Sequence, residues 1–284
     1  RLKKVNYTIS GFNALPMAAD LSLPIELSMI KGLVIYAHGI NGFKDWGGQN
    51  TIAEKFTQQG WAFLKFNFSH NGTSPANLEE FVDLDIYAQD TYLKRQYDLR
   101  QIFTFVEEIL ERDLSEAFKK VVLMGHSRGG ADVILNAPNN VRLNGLITWA
   151  SVAHAKTPWS NLDNEEINHW RENRVFYRPN GRTKQDMPIG FELFEEWQNN
   201  KSKLDVEACA RSIEIPWLIA HGDEDEAVFV KDAYTLKECN PEANVAIIEG
   251  ANHTFGRVHP FTGDALPKYS QQLLDACFKF LAAL

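Results

Sequence analysis

The chain has 284 residues, 44% hydrophobic and 23% charged, which is ordinary for a folded globular protein and far from disordered or membrane-embedded compositions. A formal charge of −8, with no basic run able to line up on phosphates, argues against nucleic acid as a partner. Three cysteines, Cys209, Cys239 and Cys277, cannot complete a disulfide framework and lack the spacing of a metal site.

From the start of the chain, the alternation in residues 5–9 and the breaks at Pro16 and Pro24 predict an antiparallel hairpin within residues 5–30. After residue 32, short apolar or β-branched runs alternate with longer stretches of helical periodicity. The runs at 32–38, 62–66, 120–124, 145–149, 217–220 and 245–248 are the predicted strands, and several are nearly continuously apolar, as strands buried on both faces of a mainly parallel sheet require. Between them, residues 51–60 read as a helix closed by Gly60, and residues 87–112 as a helix with Leu99, Phe103, Val106 and Leu110 on one face. Residues 153–205 break this rhythm. They hold Trp159, Trp170, Phe176, Phe191, Phe194 and Trp197 among many charges, with Pro158, Pro179 and Pro188 as interruptions, and are expected to be a helical insertion, either a cap over a site or surface helices packed on their own aromatics. Residues 269–284 repeat apolar positions at helical spacing and predict a closing amphipathic helix.

The strand at 120–124 runs into Gly125-His126-Ser127-Arg128-Gly129-Gly130 and then into a segment that can begin a helix. A G-x-S-x-G between strand and helix needs its glycines to make a sharp turn that lifts the serine hydroxyl above the sheet. After the first buried strand comes His38-Gly39-Ile40-Asn41-Gly42; after the strand at 217–220 comes Gly222-Asp223-Glu224-Asp225-Glu226-Ala227-Val228; after the last comes Ala251-Asn252-His253-Thr254-Phe255. A metal reading of His221, Asp223 and Asp225 is weak, because an HxD pair after a strand is common in plain turns.

Taken in this order, the elements and motifs resemble the α/β-hydrolase superfamily from about residue 30 onward. The resemblance implies an α/β fold, a doubly wound, mainly parallel sheet with a helical cap insertion, built as one domain over residues 1–284 with the insertion at 153–205. It implies Ser127 as nucleophile, His253 as general base and Asp225 as the acid that orients it, in the chain order Ser, Asp, His that this fold demands. Asp225 matches the pattern better than Asp223, and His253 better than His259. The backbone N–H groups of Ile40 and Arg128 are the implied oxyanion-hole donors.

The activity implied is cleavage of a carboxylic ester of a small or medium substrate through an acyl-enzyme, with motifs arranged as in acyl or cinnamoyl esterases and with no cofactor or metal needed. The same triad serves thioesterases and serine aminopeptidases, and some proteins of this fold keep the pocket only to bind a ligand; dehalogenases need an aspartate where Ser127 stands. One departure is the loop Asn67-Phe68-Ser69-His70-Asn71-Gly72-Thr73-Ser74, where many relatives have D-x-x-G-x-G-x-S. There His70 and Asn71 either touch substrate or only shape the loop. No apolar run nears the roughly 18 residues that cross a bilayer. Residues 1–30 lack the apolar core of a signal peptide, so a cytoplasmic location is expected; the chain begins at Arg1, which leaves an earlier, removed signal open. Oligomeric state is not legible.

Overall fold

The computed structural model describes residues 3–114 and 118–284. Ten strands form β1 (Lys3–Ser10), β2 (Pro16–Leu23), β3 (Gly32–Ala37), β4 (Trp61–Phe66), β5 (Val121–His126), β6 (Gly145–Trp149), β7 (Val175–Asn180), β8 (Gln185–Gly190), β9 (Trp217–Gly222) and β10 (Asn244–Ile248). Eight of them make one sheet in the order β1-β2-β4-β3-β5-β6-β9-β10. The last six strands in that order run parallel to one another, while β1 and β2 add an antiparallel hairpin at the edge, paired through β2 to β4. The expected doubly wound sheet and opening hairpin are therefore both present.

Successive residues of a strand face opposite sides of a sheet, and β3 shows how this chain uses both. Leu33 and Ile35 face a core shared with Leu64, Leu123 and Leu99. Val34 and Tyr36 face a second core with Phe63, Val122, Met124 and Trp149. Helices cover each face. Helix α1 (Gln49–Gln58) supplies Ile52 and Phe56 to the second core. The short α2 (Leu84–Ala88) precedes α3 (Tyr92–Phe105), which continues through a π-helical turn at Val106–Leu110 into α4 (Glu111–Leu114). The single helix expected over 87–112 is thus broken at residues 89–91, where the Thr91 side chain accepts the Lys94 amide and caps α3. Its expected apolar face is kept, since Leu99, Phe103, Val106 and Leu110 are all buried.

Helix α5 (Arg128–Asn136) is buried along nearly its whole length. Between β6 and β9 lie α6 (Asn164–Asn173), the separate two-stranded hairpin β7–β8, α7 (Glu192–Asn199) and α8 (Val206–Ser212). The 153–205 stretch, expected to be helical, therefore also carries an antiparallel hairpin between its two helices. Trp159, Trp170, Phe191 and Phe194 pack edge-on or stacked against one another, and the Trp170 indole donates to Ile189 O at 2.9 Å. Helices α9 (Lys231–Cys239) and α10 (Lys268–Ala282) complete the chain; α10 buries Leu273, Leu274, Cys277 and Leu281 on the second core. Among the described residues no helix is long and apolar enough to cross a membrane.

Four charges meet where the loop that follows β3 packs on β2 and β4, with Asp20, Lys44 and Lys65 buried and Asp45 nearly so. Lys44 Nζ donates to Asp20 Oδ2 and to Asp45 Oδ2, both at 2.7 Å. Lys65 Nζ donates to Asp20 Oδ2 at 2.7 Å and also to Asp45. Each cation is shared by both carboxylates, the arrangement that a low-dielectric interior requires before it tolerates charge.

Candidate active site

The motifs singled out in the sequence all lie in loops at the carboxyl ends of parallel strands, the edge of an open α/β sheet where ligands bind. Ser127 sits between β5 and α5 with φ 60° and ψ −121°, a conformation that costs a non-glycine residue of order 1–3 kcal/mol and is held only by its surroundings. Those surroundings are glycines. A Cβ on Gly125 would lie 2.2 Å from Gly129 O, one on Gly129 2.4 Å from Ala37 O, and one on Gly130 2.3 Å from Ser151 Oγ. The constraint at these three positions is space, not backbone torsion. Gly125→Ala should accordingly lower stability by about 1–3 kcal/mol and blunt Ser127 reactivity together, measured by urea unfolding and by the rate of fluorophosphonate labelling; an unchanged midpoint would contradict the packing described.

The structure brings Ser127, His253 and Asp225 into one hydrogen-bonded line. Ser127 Oγ lies 3.0 Å from His253 Nε2, and His253 Nδ1 lies 2.8 Å from Asp225 Oδ2. With Nδ1–H donating to the carboxylate, Nε2 is the bare nitrogen and accepts the serine hydroxyl. Asp225 Oδ1 accepts the Ala227 and Val228 amides, each at 2.9 Å. Burial pushes this carboxyl up, but hydrogen bonds from His221, His253 and the Val228 amide outweigh burial and hold it well below the usual carboxylate range. It is therefore an anion wherever the protein is folded near neutrality.

Asp223 does something else: its Oδ1 accepts the Gly250 amide at 2.7 Å and ties the β9 loop to the end of β10. His221 Nε2 lies 2.7 Å from Val228 O and 3.3 Å from Asp225 Oδ2, behind the carboxylate. His221, Asp223 and Asp225 thus do not converge, and no group of three metal-ligating side chains is found among the described residues. His259 is remote from the line: its Nδ1 accepts the Gly47 amide at 3.0 Å, and its ring packs on Phe43 and Trp46.

Gly39 packs on the Ser127 turn, with Ser127 Cβ 3.1 Å and Arg128 N 3.5 Å from where its own Cβ would be. Ile40, the next residue, lines the cavity over Ser127, and its amide has no hydrogen-bond partner among the described residues. Arg128 opens α5, where the first N–H groups have no intrahelical acceptor. The loop carrying Ile40 is held from below. The His38 Nε2 accepts the Phe68 amide at 3.1 Å, and Arg95 donates to His38 O at 2.7 Å while its Nε donates to Asp132 Oδ2 at 2.6 Å. Burial, aided by the Arg95 charge, pushes the His38 imidazole down to about 3, so it stays neutral and keeps that acceptor nitrogen.

Sequence reasoning missed several of these supports. His126 Nε2 donates to His253 O at 2.9 Å, fixing the His253 backbone; burial pushes the His126 imidazole well down, so it is a neutral donor. Its place inside the G-x-S-x-G run was the available signal. Arg95, on α3, has no motif that could have announced it. His70 and Asn71 turn inward to the loop: His70 Nδ1 bonds Ser69 Oγ at 2.7 Å and Asn71 Oδ1 accepts from Thr73. Neither lines the cavity of about 640 Å³ that opens over Ser127 and His253.

No protein family model matches the chain. A putative esterase/lipase of Mycoplasma pneumoniae is 27% identical over 114 residues, which cover 40% of this chain and only 35% of that protein. Among solved structures, the chain is similar to Est1E from Butyrivibrio proteoclasticus with ferulic acid bound, at a TM-score of 0.74 and 18% identity over 98% of both chains. It is also similar to the α/β hydrolase GrgF from Penicillium sp. sh18, at a TM-score of 0.73 and 13% identity over 99% of both.

Proposed function

We propose that this chain, which has the α/β-hydrolase fold, is a serine hydrolase that cleaves a carboxylic ester of a small or medium substrate through an acyl-enzyme at Ser127. The observation that carries the reading is the line Asp225, His253, Ser127, at 2.8 and 3.0 Å, which ends in a cavity that Ile40 also lines. A cavity of about 640 Å³ is in the size range of small-molecule sites. An ester is favoured because the partial relative is a putative esterase/lipase.

In this reading His253 Nε2 takes the hydroxyl proton as Ser127 Oγ bonds to the carbonyl carbon, and the carbonyl electron pair moves onto its oxygen. The Ile40 and Arg128 N–H groups face that developing charge, a contribution worth about 2.7–4 kcal/mol per donor. Collapse expels the alcohol, which receives the proton from His253 and leaves Ser127 acylated. Water, deprotonated by the same imidazole, then bonds to the acyl carbon; the acyl–Oγ bond breaks, Ser127 Oγ takes the proton back from His253, and the acid leaves. Asp225 fixes the Nδ1–H tautomer and stabilises the imidazolium in both halves. Every proton is moved by side chains and water. Residues 153–205 act as a cap that roofs the cavity, resting on their own aromatic packing.

The test is a set of substrates with one acyl group presented as ester, thioester and anilide. The expected result is a kcat/KM for the ester at least about tenfold above the other two; dominance of thioester or anilide would move the same triad to thioesterase or aminopeptidase chemistry. Absence of turnover on all three, with no labelling of Ser127, would overturn the hydrolase reading in favour of ligand binding.

A further inference from the structure

The charges that line the cavity over Ser127 do not match those of the chain as a whole. The protein carries 37 acidic against 29 basic residues, yet the described wall of the cavity holds three side-chain cations, Arg178, Arg182 and Lys231, and one carboxylate, Asp232. Asp232 is engaged already, accepting the Ala153 amide at 3.1 Å. Glu79, the carboxylate within electrostatic reach of Arg182, is half exposed and lies 3.6 Å from His259. Arg178, Arg182 and Lys231 have no side-chain hydrogen bond or ion pair among the described residues. His154 also lines the wall, but burial pushes its imidazole below the ordinary value, so it adds no cation.

The two arginines come from the unexpected hairpin. Arg178 is on β7 and Arg182 in the turn that follows, where Asn180 Oδ1 accepts the Arg182 and Thr183 amides at 3.1 and 3.2 Å and fixes the turn. Arg182 stands 5.5 Å from the Phe43 ring, which lines the same cavity. Arg178 is within electrostatic reach of the Tyr87 phenol, whose hydroxyl donates to Asn41 Oδ1 at 2.5 Å. Asn41 follows Ile40. Both arginines therefore line the cavity that also holds Ser127, on its solvent-exposed side.

We propose that Arg178 and Arg182 form an anion subsite, with Lys231 adding to the field, so that the preferred substrates are esters bearing a carboxylate or phosphate group. A guanidinium presents a planar fork of donors that matches either group bidentately, and a cleft lined by one sign of charge concentrates ligands of the other sign. A neutral ester uses none of this. The inference rests on the serine-hydrolase reading above and narrows its substrate class.

The test compares matched esters on the intact protein. Mono-4-nitrophenyl glutarate against 4-nitrophenyl valerate places the anion on the acyl side. On the alcohol side, 4-acetoxybenzoate and 4-acetoxyphenyl phosphate are compared with methyl 4-acetoxybenzoate, which separates carboxylate from phosphate. The expected result is that at least one anionic ester exceeds its neutral partner in kcat/KM by roughly tenfold or more, the order of two partly screened charge contacts, with the difference mainly in KM and shrinking as salt is raised. In Arg178→Gln/Arg182→Gln that ratio should fall to near one, and in Arg178→Lys/Arg182→Lys it should be partly kept. Equal rates on all pairs by wild-type protein whose Ser127 is labelled by fluorophosphonate would overturn the anion subsite and leave the hydrolase reading standing. A preference that survives the double glutamine variant would overturn the assignment to these arginines. Absence of both turnover and labelling would remove the hydrolase reading and this inference with it.

Discussion

Ser127→Ala should lower kcat by roughly 10⁵- to 10⁶-fold, the scale seen when a triad nucleophile is deleted, with little change in stability. The substitution removes one oxygen whose only described partner is His253 Nε2 at 3.0 Å. The turn itself is unaffected, because it is imposed by the close packing at Gly125, Gly129 and Gly130 and alanine keeps the Cβ that Ser127 already places at φ 60°. Turnover of a chromogenic ester and thermal unfolding, measured on the same preparation, check both halves. Retained cleavage would show that another group is the nucleophile; lost folding would show that the hydroxyl matters to the turn.

Asp225→Asn should cost roughly 10⁴-fold in kcat, whereas Asp223→Asn should stay within a few-fold of wild type. Both are aspartates of one loop, two residues apart, and the difference is in what surrounds each carboxylate. Every described partner of Asp225 is a donor: two amides on Oδ1, His253 and His221 on Oδ2. An asparagine must turn its NH₂ toward one of these sets, leaving two donors face to face, and it loses the charge that stabilises an imidazolium. Asp223 receives a single amide, from Gly250, which an amide oxygen accepts as well. Steady-state kinetics on the two variants decide it, and comparable losses would mean that the loop conformation, not the carboxylate at 225, is what the base requires.

The sequence was most legible where one physical demand dominates. Strands buried on both faces must be apolar throughout, which marks β3, β5 and β6, and a turn as tight as the one at Ser127 admits only glycine on its flanks. The three side chains of the line were found through the resemblance of their motifs to a known family, each motif following a strand; β10, before His253, is a partly exposed edge strand. Pairings that depend on distant segments left no local trace. Lys65 and Asp20 are fully buried charges inside strands, and Arg95 meets His38 and Asp132 across separate elements. The β7–β8 hairpin was hidden by Pro179 and Pro188, which read as interruptions although a two-stranded sheet has free edges that accept proline. Its half-exposed residues also lack the apolar run of a core strand. The break at residues 89–91 was hidden for the opposite reason, since the apolar spacing continues across it from α2 into α3.

The four charges under the β3 loop bear on how this sequence can change over time. Asp20, Lys44, Asp45 and Lys65 neutralise one another with little exposure to water, and removing one member of such a set strands its partners at a cost of about 3–5 kcal/mol, against a total stability of about 5–15 kcal/mol for a typical domain. Single steps away from this arrangement are therefore steep, while an exchange of all four for apolar residues of similar volume is nearly level ground. Drift at these positions is expected to be concerted, and a library that varies one site at a time should find each of the four costly to change although none of them lines the cavity over Ser127.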